Sequence, residues 1–170
     1  RDNAVRRFTL EGSSAGKWGG VSSAEEGEFT NPKGVHITAD GIVYVADSTN
    51  NSVQKFDSSG KFLKEFGTDV LISPIDMAAD EYGNVYVLDY YGHCIHKFDD
   101  DGNPVKQIVT KGDLLCPSDI VIYDRHIYVA DTGNNAIKKF TLDGIPVTIW
   151  EKDNVRFSHP KGLAIHTDEG

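Results

Sequence analysis

From residue 31 onward, apolar residues come in short runs separated by polar breaks. One run covers residues 34–38 and is closed by the turn residues Asp40 and Gly41; a second covers residues 42–47. After a polar loop at residues 48–51, a third run spans residues 52–57, a turn follows at 58–60, and a fourth run spans residues 61–66. Val, Ile, Tyr and Phe dominate the runs, whereas Gly, Asp, Asn and Ser dominate the breaks, which is strand and tight-turn chemistry. The pattern predicts four consecutive short strands and requires no helix.

The same unit then returns. Phe56, Phe98 and Phe140 are spaced 42 residues apart, each with a glycine four residues on, at Gly60, Gly102 and Gly144. Asp47, Asp89 and Asp131 keep that spacing, each ending a Tyr-Val-x-Asp run, and Pro32, Pro74, Pro117 and Pro160 open successive units at steps of 42 or 43. Self-similarity at a fixed period marks a repeat architecture, in which a unit that cannot bury both faces alone stacks on its neighbours. The reading is an all-β fold, a β-propeller of four-stranded blades. Its divisions fall at residues 1–28 (incomplete), 29–70, 71–113, 114–156 and 157–170 (incomplete).

Two stretches carry a family resemblance. NPKGVHITADGIVYVADSTNNSVQKFDSSGKFLKEFG, beginning at Asn31, and CPSDIVIYDRHIYVADTGNNAIKKFTLDG, beginning at Cys116, resemble the NHL repeat in their Pro, Tyr-Val-Ala-Asp, Asn-Asn and Lys-Phe positions. The resemblance implies blades of a propeller that is commonly six-bladed, and it implies fold far more than activity. NAVRRFTLEG near the start mirrors NAIKKFTLDG at Asn135, so residues 3–12 are expected to form a third strand and its turn, with Trp18 and Gly19 matching Phe66 and Gly67. Residues 159–170 are expected to supply another first strand. The chain is therefore expected to hold about four blades' worth of a larger ring, with further blades or another subunit covering its open ends.

Strand order assigns residues to two faces. The hairpin turns collect Glu11, Asp40, Asp57, Asp80, Glu81, Asp99, Asp100, Asp101, Asp124, Asp143, Asp168 and Glu169, an acidic face best read as turn chemistry. Asp99-Asp100-Asp101 looks like a calcium loop, but its twelfth position is Thr110 where such a loop needs Glu. The opposite face gathers mixed charge, amides and aromatics: Lys33, Asp76, Tyr90, Tyr91, His93, Asp119, Asn134 and Lys161. These are the candidate ligand-binding residues at a channel mouth. Asp76 and Asp119 stand where other units have Gly34 and Gly162, and Tyr90-Tyr91 replaces Ser48-Thr49. The repeated Asp47, Asp89 and Asp131 read as acceptors for amides of the following loop, with Asn51 and Asn135 doing similar work. Cys94 and Cys116 lie at the same end of neighbouring blades, where a disulfide is conceivable.

Composition narrows the function. The chain has 170 residues and a net charge of −9, which disfavours nucleic acid as a partner. No apolar run approaches the ~20 residues of a membrane helix. The peptidyl-hydroxyglycine amidating lyase is a related propeller that uses histidine-bound zinc, and the resemblance implies a ligand His just after a blade-opening Pro. Those positions hold Lys33, Ile75, Ser118 and Lys161, and His36 and His159 do not repeat. No catalytic set, metal-ligand set or cofactor is therefore expected. A rigid scaffold for a protein, peptide or glycan ligand is the leading reading, a lyase and an RNA-binding propeller the alternatives. The resemblance alone leans toward an extracellular or cell-surface location.

Overall fold

The structure is a computed structural model that describes residues 2–20, 25–110, 112–150 and 157–166. Strands β1 (Ala4–Phe8) and β2 (Ser14–Gly19) pair antiparallel as a two-stranded sheet. Three four-stranded antiparallel meanders follow. Blade one is β3 (Pro32–Ile37), β4 (Val43–Asp47), β5 (Ser52–Phe56) and β6 (Phe62–Phe66). Blade two is β7 (Pro74–Ala79), β8 (Val85–Asp89), β9 (Cys94–Phe98) and β10 (Pro104–Val109). Blade three is β11 (Asp119–Tyr123), β12 (His126–Asp131), β13 (Ala136–Thr141) and β14 (Pro146–Trp150), with a single 3-10 turn at Thr132–Asn134. No helix among the described residues is long and apolar enough to cross a membrane.

The alternation of side chains along each second strand explains the stacking. Val43 and Val45 of β4 join Phe29 and Phe56 in a cluster that packs on Val5 and Trp18 of the two-stranded sheet. Tyr44 and Ala46, pointing the other way, join Met77, Val85 and Val87 of blade two. Tyr86 and Leu88 of β8 in turn meet Ile120, Ile127 and Val129 of blade three. A strand with both faces apolar is thus buried on both sides, and β4 and β8 are wholly buried. The outermost β14 is exposed along its length. Blades one and two each serve as half of two cores.

The periodic glycines are explained at the same junctions. Gly102 sits at φ 75°, and a Cβ there would lie 2.7 Å from Phe66 of the preceding blade. Gly60 occupies the equivalent turn, and a Cβ there would lie 2.8 Å from Trp18. The turn between third and fourth strands therefore needs glycine twice over, for its left-handed backbone and for the aromatic ring against it.

The strand register reproduces the repeat: Val45, Val87 and Val129 face Gln54, His96 and Lys138. No strand pairing is found within residues 157–166, where the sequence predicts a first strand. This segment is held instead by side chains of blade three, and residues 167–170 lie outside the described part.

Candidate functional site

The loops that precede each inner strand and those that join second to third strands gather at one end of the blades. Their frame is the repeated aspartate. Asp47 accepts from Thr30 N at 2.7 Å and Asn31 N at 2.9 Å, and also from the Asn50 amide at 3.1 Å. Asp89 accepts from Ile72 N, Ser73 N and Gly92 N at 2.7–3.0 Å. Asp131 accepts from Leu115 N and the Asn134 amide, both at 2.7 Å, and lies 2.8 Å from the Lys138 ammonium. All three carboxylates are fully buried. The sequence placed their donors in the following loop. The shortest bonds of Asp47 and Asp89 come instead from the segment that enters the blade, because that segment folds back across the top of the second strand.

A second set of bonds runs between blades. Ala79 N donates to His36 Nε2 at 3.3 Å, Ile120 N donates to Asp76 at 3.2 Å, and Leu163 N donates to Asp119. Inner strands do not share a backbone ladder, so these side chains supply acceptors across the gap. Burial, then a hydrogen bond and charge repulsion from Asp119, push the Asp76 carboxyl up to about 8. Asp76 therefore carries its proton at neutral pH. Burial also holds His36 below its ordinary value.

A third set uses residues with left-handed backbone. Asn51, His93 and Asn135, at φ of 55°, 51° and 54°, end the loop before each third strand. Each touches the segment entering the next blade: the Asn51 amide faces Ile72 O, Cys116 N donates to His93 Nδ1 at 3.1 Å, and His159 N donates to Asn135 at 2.9 Å. His93 and Asn134, both counted among the ligand candidates, are thus engaged in holding loops. Asp76 and Asp119 are engaged in holding inner strands.

What remains open is a cleft of about 490 Å³ between blades one, two and three. Lys33, Ser48, Thr49, Ser73, Tyr90 and Tyr91 line it, together with Ile72, Ile75, Pro117 and Ser118. Of the sequence candidates, Lys33, Tyr90 and Tyr91 meet here; Lys161 is exposed beyond it. Tyr90 and Tyr91 pack edge to face, with ring centroids 5.0 Å apart, and Tyr91 is 67% exposed. Ser48 and Ser73 share a 2.8 Å hydrogen bond in the floor.

At the hairpin face the aspartates mostly bind their own turns. Asp57 accepts from Ser59 N and Lys61 N, Asp80 from Tyr82 N and Asn84 N, and Asp99 from Asn103 N. Asp100 forms an ion pair with Lys55 at 2.9 Å. Asp168 and Glu169 lie outside the described residues.

The two cysteines are free thiols rather than a bridge. Cys94 turns into the core beside its strand neighbour His96, and Cys116 turns toward the Tyr90 hydroxyl. Cys94 Sγ lies 3.2 Å from His96 Nε2, and Cys94 Sγ, a ring nitrogen of His96 and a carboxylate oxygen of Asp89 all lie within 4.8 Å of one another. Burial and the Asp89 charge push the Cys94 thiol up to about 12, and burial holds His96 below its usual value. The sequence reading missed this trio. Its signal was Cys-x-His starting five residues after a repeated Asp, on one face of a strand.

The NHL repeat family matches residues 29–56 and 114–140. A 42-residue stretch, 25% of the chain, is 45% identical to the protein brain tumor of Drosophila melanogaster and spans 4% of that protein. Virginiamycin B lyase from Staphylococcus aureus superposes over 90% of this chain and 50% of its own length, with a TM-score of 0.71 at 19% identity. A chain of a nidogen/laminin complex superposes over 93% of this chain and 59% of its own, with a TM-score of 0.70 at 16% identity. The chain thus spans about half the length of these structures, and at such identities the likeness speaks to fold. With the repeat match, the 42-residue register and the meander blades in agreement, the chain has a β-propeller fold and carries NHL repeats at residues 29–56 and 114–140.

Proposed function

We propose that the chain is a rigid binding scaffold whose loop face takes a protein or peptide segment, or a glycan, in the cleft beside Tyr90 and Tyr91. The observation that carries this reading is the exposed Tyr91 ring at the wall of a cleft that also holds Lys33 and a floor of hydroxyls. Its volume falls within the range of about 300–1,000 Å³ common for ligand sites. Tyr91 offers a broad apolar surface with few rotamers to freeze, and its edge-to-face partner Tyr90 fixes the ring. Lys33 supplies a positive charge for a carboxylate or another acidic group. The alternatives have less to stand on: the face has few cations for an RNA backbone, and no histidine follows a blade-opening proline as the lyase reading requires.

The test is a screen of the purified chain against a displayed random-peptide library and a glycan array. Ligands enriched on the parent chain should lose binding when Tyr91→Ala or Lys33→Glu is introduced. Enriched ligands indifferent to both substitutions would move the site elsewhere, and enrichment of none would overturn the scaffold reading.

A further inference from the structure

Blade two departs from its neighbours around the repeated aspartate, and the departures converge. In blades one and three the loop presents Asn50 and Asn134, whose amides donate to Asp47 at 3.1 Å and to Asp131 at 2.7 Å. In blade two that position is Gly92, so Asp89 loses a side-chain donor; its hydrogen bonds come from three backbone N–H groups. Without a side chain the loop also closes down. A Cβ on Gly92 would lie 2.8 Å from both Asp89 Cγ and Cys94 Sγ.

Across the strand pair the substitution is equally directed. The residue facing Val129 in blade three is Lys138, whose ammonium lies 2.8 Å from Asp131, so that blade places a positive charge against its buried carboxylate. The residue facing Val45 in blade one is Gln54, whose side chain is spent on Gly27 N and Glu28 O. In blade two the same register position is His96, and the position opposite Asp89 is Cys94, where the others have Ser52 and Ala136. Blade two has therefore exchanged an amide and a built-in cation for two transition-metal ligands around a carboxylate of the same burial.

We propose that Asp89, Cys94 and His96 bind one zinc ion, seated where blade three holds the Lys138 ammonium. The ligand set is one carboxylate oxygen, one thiolate and one imidazole, a mixture that suits zinc better than calcium or magnesium. Bonds of about 2.3 Å to sulfur and 2.0–2.1 Å to nitrogen and oxygen place tetrahedral ligands about 3.5 Å apart. The observed 3.2 Å between Sγ and Nε2, and the 4.8 Å limit for all three, need only small adjustment. On binding, the Cys94 S–H bond breaks, its proton passes to solvent, and the sulfur lone pair forms the bond to the ion. Asp89 and Cys94 are buried and His96 is part-exposed, so the ion enters past His96, and a water completes its shell. The ion tethers the Tyr90–His93 loop to the strands on either side of it.

The experiment uses the whole chain, kept reduced, stripped with a chelator and dialysed against zinc sulfate. Metal analysis should give one zinc per chain, and Co2+ in its place should show the thiolate-to-metal absorption of a cysteine ligand. Cys94→Ser with His96→Gln rebuilds the pair of blade one, and Cys94→Ala with His96→Lys rebuilds that of blade three, so each has a folded precedent in this molecule. Either double variant should weaken zinc binding by at least the roughly 10–100-fold that loss of a mere supporting residue costs. A parent chain that takes up no zinc, or variants that bind it as well as the parent, would overturn the site. Neither outcome bears on the cleft beside Tyr91.

Discussion

The Lys138 ammonium lies 2.8 Å from the Asp131 carboxylate, with the aspartate fully buried and the lysine nearly so. The lysine also donates to Asp113 O, so it ties the loop entering blade three to the end of its second strand. This carboxylate accepts two further hydrogen bonds, yet its formal charge is balanced by this lysine alone among the described residues.

Removing that partner should be costly. Lys138→Ala leaves a buried charge uncompensated, and the expected loss is about 3 kcal/mol of unfolding free energy. Lys138→Gln, which imports the residue of blade one, should lose less, since an amide can still donate to Asp131. Urea denaturation of the three chains measures both values.

The inner-strand carboxyl pair sets a pH dependence with a definite sign. An aspartate of the unfolded chain titrates near 4, whereas Asp76 in the folded chain titrates at about 8. Between those values the folded state holds a proton that the unfolded state has released, so this group's contribution to stability falls as pH rises from about 4 to about 8 and is level above. Asp76→Asn keeps a donor toward Asp119 and an acceptor for Ile120 N without a proton to lose. Its melting temperature should decline less than the parent's over that range, and parallel declines would refute the assignment.

Gly102→Ala should destabilise through the blade junction rather than the turn alone. The added methyl meets Phe66 while the backbone stays left-handed, and the combined cost should reach about 1–3 kcal/mol. Gly12→Ala is the control: its φ is 83° and a Cβ there meets nothing within 4 Å, so only the backbone cost remains. The difference between the two melting curves isolates the contact.

Tyr91→Ala should leave unfolding free energy within about 0.5 kcal/mol of the parent, as expected for an exposed side chain away from the packed core. A larger loss in thermal denaturation would show that the ring holds the blade together instead of facing a ligand.

The blades were legible because burial on both faces imposes an unbroken apolar second strand, and Tyr44 to Asp47 repeats at a spacing that turn geometry enforces. The loop face was legible only as a set of positions. Lys33, Tyr90 and Tyr91 do meet in one cleft, but His93 and Asn134 are occupied as acceptor and donor within the loops. Nothing in their residue types distinguishes an amide that holds a loop from one that awaits a ligand; only the position of the next blade's backbone does. The Cys94–His96 contact escaped for a related reason. Two residues apart on a strand means the same side, but the proximity of Asp89 depends on strand pairing across the loop.

Five contacts from a backbone N–H to a side chain between successive segments share one polarity, while lysines such as Lys55 and Lys106 donate the other way to Asp100 and Asp143. Ala79, Cys116, Ile120, His159 and Leu163 are N–H donors of the later segment, and His36, His93, Asp76, Asn135 and Asp119 are acceptors already in place on the earlier one. A ribosome releases the acceptors first. Each blade leaving it finds these five acceptors waiting on its predecessor, an order suited to assembly in the direction in which the chain is made.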